Sequence, residues 1–164
     1  MPTMARRRRR RRTRLAPIVV GVVAALLGAR VVRDAIEPGP WQHVFATREG
    51  ELGKRTATGL VIAAESRFVA LPHRLALYKQ VEVRHGTRVL VVPVLDVGPW
   101  NTDDAYWRAG ARPAAERGVG RYRAPANPAG IDLSDAVFAA LGLPDNDWVD
   151  WRFVHQGYYA LPWL

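Results

Sequence analysis

The chain contains no cysteine, and this absence removes several chemistries at once. A disulfide scaffold, a thiolate zinc site, a thiol nucleophile and a lipidated N-terminal cysteine are all excluded. Export is not excluded, because a chain of 164 residues can bury enough apolar surface to fold without cross-links. Charge imbalance is also missing from most of the sequence. The formal charge of +9 suggests a nucleic-acid binder until it is located. Arg6 to Arg12 and Arg14 supply eight positive charges in the first fourteen residues. From Trp41 onward, fourteen Lys and Arg face thirteen Asp and Glu, a net of +1. Such a near-neutral domain lacks the electrostatic footprint of a nucleic-acid reader, so no nucleic-acid partner is expected.

No apolar run reaches the roughly 20 residues of an ordinary membrane span. What is present is Leu15 to Ala29, broken only by Pro17 and Gly21, directly behind the arginines. A basic segment ahead of a short apolar one is the layout of an export signal, with the basic end cytoplasmic and the remainder outside. Arg30 and Arg33 can snorkel and let the segment extend to Ile36. Ala29 is preceded two places back by Leu27, which spoils a small-x-small cleavage site. An uncleaved signal anchor is therefore favoured over a cleaved peptide. A nuclear-import or nucleic-acid arm leaves the apolar run unexplained, and a twin-arginine reading means little inside seven consecutive arginines. The expected organisation is a basic segment over 1–14, a signal or anchor helix over 15–36, a linker over 37–44 and one domain over 45–164. Pro38 and Pro40 block continuation of a helix through the linker.

Within the domain, Leu60 to Ala64 and Arg67 to Leu71 read as strands, as does the alternating Gln80 to Arg84. His85-Gly86-Thr87 supplies a turn. Arg88 to Val97 is apolar nearly throughout and reads as a strand buried on both faces, with Pro93 marking a bulge. Residues 98–130 form a long polar insertion rich in Gly, Pro, Arg and aromatics, a length that is more often functional than idle. One helix is expected after Asp132 as N-cap, with Leu133, Ala136, Val137, Ala140 and Leu141 on one face and Gly142 as C′ residue. Trp148 to Val154 alternates again and closes the sheet.

Four motifs occur in a fixed order: T-A-T-G (Thr56 to Gly59), V-A-L-P-H-R (Val69 to Arg74), an apolar strand ending D-V-G-P-W (Asp96 to Trp100), and G-I-D-L-S (Gly130 to Ser134). This order resembles the rare lipoprotein A, expansin and barwin group, over about Thr56 to Val154. The resemblance implies a mainly β fold: a six-stranded double-psi β-barrel with one or two short helices, whose groove holds a glycan. In some members of that group a carboxylic acid cleaves the glycan. By position, Asp96 matches the acid of D-x-G-P, Asp132 that of I-D-L-S, and His73 the family histidine, about one position out of register. Val97 stands where the rare lipoprotein A pattern has arginine, and Leu60 where it has glutamate.

The candidate catalytic residues are thus Asp96, Asp132 and His73. Asp96 ends an apolar strand, where desolvation raises a carboxyl pKa into the range a proton donor to a glycosidic oxygen needs. The alternative is an Asx-type turn in which Asp96 bonds the adjacent backbone. As an N-cap, Asp132 is expected to be structural, with a depressed pKa. Thr58, Trp100, Asn101, Asp104, Tyr106 and Trp107 are the candidate substrate-binding residues, because aromatic faces stack on sugar rings while polar groups bond hydroxyls. They can equally anchor a loop to the core. Asp103-Asp104 lacks the spacing of a calcium loop, and His43, His73, His85 and His155 show no metal-ligand spacing. No cofactor or metal is expected. The readings left open are a lytic transglycosylase acting on peptidoglycan, a non-catalytic glycan-binding or wall-organising module, and a membrane-tethered protein-interaction domain.

Overall fold

The computed structural model describes residues 37–108 and 110–155. The segment expected to be a signal or anchor helix lies outside them. Among the described residues no helix is long and apolar enough to cross a membrane.

Six strands close into a barrel in the order β1-β5-β2-β4-β3-β6. They are β1 (Gln42–Glu49), β2 (Val69–Ala70), β3 (Gln80–His85), β4 (Arg88–Asp96), β5 (Ala129–Ser134) and β6 (Asp147–Phe153). Two pairings are parallel, β1 with β5 and β2 with β4, and the other four are antiparallel. Closure leaves no open sheet edge. Alternation fills the interior: Val44 and Ala46 from β1, Val81 and Val83 from β3, Val92 and Val94 from β4, Ile131 and Leu133 from β5, and Val149, Trp151 and Phe153 from β6 are all essentially buried. The β3–β4 hairpin turns on Gly86 and Thr87, with His85 opposite Arg88 and Gly86 at φ 56°.

Several expectations are corrected. The linker stops short of residue 44, because Gln42 already pairs with Trp151 of β6. Leu60–Ala64 is not a strand; only an isolated bridge joins Val61 to Arg55. Their side chains serve a loop, and both Leu60 and Val61 are exposed. β4 is not buried on both faces: Val89 and Val91 point outward, 46% and 60% exposed. In a small closed barrel one face of each strand must meet solvent. Asp132 is not an N-cap, because β5 runs through it and α1 (Asp135–Ala140) begins three residues later, after Ser134. Gly142 follows the helix in the left-handed region, φ 69°, as expected of a C′ glycine.

The stretch 98–130 is not structureless. It holds two 3₁₀ turns, Tyr106–Arg108 and Ala114–Arg117, and the first of them plugs the barrel. Tyr106 and Trp107 are buried and pack edge-to-face with each other and with Trp151; Trp107 also meets Phe153.

Candidate functional site

The register of the strands places a row of side chains at one end of the barrel. Thr47 of β1 lies opposite Asp132 of β5, Asp132 opposite Ala70 of β2, and Ala70 opposite Asp96 of β4. Neighbouring strands are about 4.8 Å apart, so the two aspartates are separated by roughly 10 Å of backbone and one methyl group. Glu49 follows Thr47 by two residues and projects from the same face of β1. A cleft of about 550 Å³ opens over this row, lined by Thr47, Glu49, Glu51, Trp100, Arg123 and Asp132. Gly98 forms part of its floor, where an added Cβ would lie 3.4 Å from Asp132 Oδ2.

Electrostatics set the carboxyls apart. Burial, followed by the charges of Asp132 and Asp96 and a carboxyl–carboxyl hydrogen bond to Asp96, pushes Glu49 up to about 9. Its Oε2 is buried without a hydrogen-bond partner. Burial also raises Asp132 to about 7, with Asp96 and Glu51 adding to the rise. The hydrogen bond donated by Thr47 Oγ1 to Asp132 Oδ1 opposes it. Asp132 is therefore raised, not depressed as a helix cap would be. Burial thus holds Glu49 toward its protonated form and brings Asp132 close to neutrality. Two carboxyls driven apart in this way are equipped to donate and accept protons, as a pair with macroscopic values.

Asp96 is held otherwise. Its Oδ1 accepts the backbone amides of Ala57, at 2.9 Å, and Val97, at 2.7 Å. The backbone-bonded alternative thus describes that oxygen. Thr58 fastens the same loop, its amide and its hydroxyl both donating to Leu95 O, at 3.2 and 3.0 Å. The T-A-T-G segment is in effect a clasp on the end of β4.

Among the aromatic candidates, Trp100 is the one that reaches the cleft. It sits at φ 60° after the cis Gly98–Pro99 peptide, and its Nε1 donates to Asn127 Oδ1 at 3.0 Å. The Arg123 guanidinium stands 5.5 Å from its ring centre. The other candidates lie elsewhere. The rings of Tyr106 and Trp107 are in the core and unavailable for stacking on a sugar. Asn101 is buried and donates to Val119 O at 3.0 Å. Asp104 Oδ2 accepts the Ala114 amide at 2.7 Å. His73 caps the 3₁₀ turn Arg74–Ala76, accepting the Leu75 amide at 3.0 Å, and does not line the cleft. Burial and the nearby cations Arg108 and Lys79 lower its pKa.

Thr47, Glu49 and Glu51 were not singled out from the sequence. The signal was available: T-R-E-G-E ends an alternating segment, and period two aligns Thr47 with Glu49 on one face.

The fold and its cleft define a small closed β-barrel with a carboxyl-lined groove at one end. The chain belongs to the family described as a domain of unknown function, DUF8814, whose model matches residues 40–152. No curated protein matches it. Among solved structures it is similar to a Streptomyces papain inhibitor, at 24% identity and a TM-score of 0.45, covering 73% of this chain and 99% of that one. It is also similar to the apo expansin of Clavibacter michiganensis, at 16% identity and a TM-score of 0.44, covering 70% of this chain and 50% of that one. A point mutant of that expansin, in complex with cellohexaose, aligns at 12% identity and a TM-score of 0.43, covering 70% and 50%. At these values the likenesses say nothing about this chain's substrate.

Proposed function

We propose that this is an exported envelope protein, anchored by residues 15–36, whose barrel is of the double-psi kind and binds cell-wall polysaccharide in the carboxyl-lined cleft. The observation that carries this reading is that Glu49, Asp132 and Trp100 line one cleft, where burial raises both carboxyls. Trp100 offers an indole to a sugar ring, while Thr47, Asp132 and Arg123 offer partners for hydroxyls. The two parallel pairings, β1 with β5 and β2 with β4, support the double-psi reading.

The same cleft supports cleavage of peptidoglycan as a lytic transglycosylase. Glu49, not Asp96, is the proton donor in this reading. It passes its proton to the glycosidic oxygen as the bond to the anomeric carbon breaks, and the carboxylate left behind accepts the proton of the sugar hydroxyl that closes the anhydro ring. Glu49 enters from β1 where the resemblance expected a glutamate at Leu60. The test is incubation of the protein with purified peptidoglycan. Anhydro-muropeptides that vanish in Glu49→Gln support cleavage; sedimentation with the wall without products supports binding alone; no sedimentation at all sinks both.

A further inference from the structure

Residues 118–127, inside the polar stretch between β4 and β5, are fastened around Trp100. The Arg121 amide donates to Trp100 O at 3.0 Å, and the indole N–H donates to Asn127 Oδ1 at 3.0 Å. Beside Trp100, Asn101 Nδ2 donates to Val119 O at 3.0 Å, and the Arg121 guanidinium donates to the Thr102 hydroxyl. Gly120 permits the tight return of the chain, since a Cβ there would lie 2.3 Å from Arg123 O. The segment thereby delivers Arg123 to the carboxyl-lined cleft, 5.5 Å from the Trp100 ring centre. The other charges of this cleft are matched close by. Arg48 pairs with Asp135 at 2.7 Å, and Glu51 with Lys54 at 2.6 Å. Burial holds Glu49 and Asp132 toward their neutral forms. Arg123 is exposed and makes no ion pair among the described residues.

We propose that Arg123 determines specificity by taking a carboxylate borne on a sugar unit, so that the cleft prefers acidic polysaccharide to neutral polysaccharide of the same backbone. The inference rests on the polysaccharide reading of the cleft and names the class of glycan. A guanidinium meets a carboxylate through two parallel hydrogen bonds, each stronger than a bond to a neutral hydroxyl. The 5.5 Å between the Trp100 ring centre and the guanidinium carbon is on the scale of one sugar unit. A ring stacked on the indole therefore holds its exocyclic group within reach of Arg123. A hydroxymethyl group in that place offers one neutral hydroxyl, and a carboxylate offers both oxygens to the fork. The raised carboxyls serve the same preference, because ionised Glu49 and Asp132 would repel an acidic ligand. The contacts around Trp100 fix the loop before ligand arrives, which lowers the ordering cost of binding.

Cellohexaose and the oligoglucuronate made by oxidising it at C6 share one backbone and differ in this group alone. Isothermal titration of the full chain at fixed pH and ionic strength compares them. The oligoglucuronate is expected to bind about tenfold more tightly, a margin that shrinks as salt is raised. Arg123→Gln, whose amide can still bond a hydroxyl, brings the two affinities together, with the loss falling on the oligoglucuronate. Release of Trp100 would instead weaken both ligands alike. Arg123→Lys keeps the charge without the fork and retains part of the preference. Equal affinities in the unaltered chain, or a preference that survives in Arg123→Gln, overturn the inference and leave the polysaccharide reading standing. Tighter binding of a cellohexaose phosphorylated at C6 assigns the site to a phosphorylated glycan and also overturns it. If neither oligomer binds, the inference falls, and sedimentation with peptidoglycan decides the polysaccharide reading separately.

Discussion

Thr47 and Asp132 are register partners on the parallel strands β1 and β5, and the Thr47 hydroxyl donates directly to the Asp132 carboxylate. This contact opposes the burial that raises Asp132, and so holds the aspartate near neutrality instead of higher. Thr47→Val removes the donor while keeping a β-branched side chain. The Asp132 pKa is expected to move up from about 7, read as the carboxyl carbon shift in an NMR titration. The stability cost is about 1 kcal/mol. An unchanged titration would mean that Thr47 does not set the state of Asp132.

Stability should fall as pH rises, contrary to the usual carboxylate behaviour. Glu49 and Asp132 have ordinary values of 4.5 and 3.8 and folded values of about 9 and about 7. Between those limits the folded state binds more protons than the unfolded one. The stabilisation is fully present below about pH 4 and is lost as pH rises through about 7 and then about 9. The melting temperature of the protein, followed from pH 5 to pH 10 at constant ionic strength, is expected to drop by several degrees. Glu49→Gln should flatten the upper part of that drop. A melting temperature that climbs through this range contradicts the assigned protonation states.

Tyr106 tests whether the aromatic cluster belongs to the core or to ligand. Its hydroxyl donates to Gly130 O at 2.9 Å and accepts from Trp151 Nε1 at 2.8 Å. Tyr106→Phe leaves a buried indole N–H and a buried carbonyl short of a partner, at a cost of about 1–3 kcal/mol. Trp107→Ala opens a cavity and costs about 3–5 kcal/mol. Both losses are expected in denaturant unfolding, with polysaccharide binding per folded molecule unchanged for Tyr106→Phe. A selective loss of binding would return Tyr106 to the ligand site.

The strands were legible where a two-residue period met a clear turn. Gln80–His85 and Asp147–Phe153 sit close to where alternation placed them, and Arg88–Asp96 close to where a continuous apolar run did. β1 was harder to read because Phe45, between the exposed His43 and Arg48 on the outward face, is as apolar as the inward Val44 and Ala46. β5 was misread because I-D-L-S-D carries the polar spacing of a helix start, and the chain turns from strand to helix within it. The role of Asp132 changed with that assignment: a strand residue facing a cleft is raised by burial, whereas a cap is lowered by free amides. Asp96 was visible as a strand-terminal acid, yet its amide partners come from Ala57 and Val97, and the first of these is a contact that only folding brings about. Glu49 stood out once β1 lay beside β5, because Thr47, two residues before it on the same face, is the register partner of Asp132. Tyr106 and Trp107 illustrate the same limit, since a polar-aromatic run reads alike whether it plugs a barrel or lines a groove.

Trp100 adopts φ 60°, a conformation few large residues take up, and its indole is fixed by Asn127 and faced by Arg123. A side chain held so firmly at the rim presents its ring without further loss of entropy on binding, which is what makes an aromatic anchor effective. Trp100→Ala is expected to weaken binding of cell-wall oligosaccharide by on the order of 2 kcal/mol, the loss typical of a dominant contact residue. Because the ring is partly exposed, the change should leave the melting temperature nearly where it was. Isothermal titration with soluble peptidoglycan fragments reads the first quantity and calorimetric unfolding the second. Asn127→Ala should give a smaller loss of affinity, since it frees the indole without removing it. Undiminished affinity in Trp100→Ala would take the glycan out of this cleft. The raised carboxyl of Glu49 would then need a substrate of another kind.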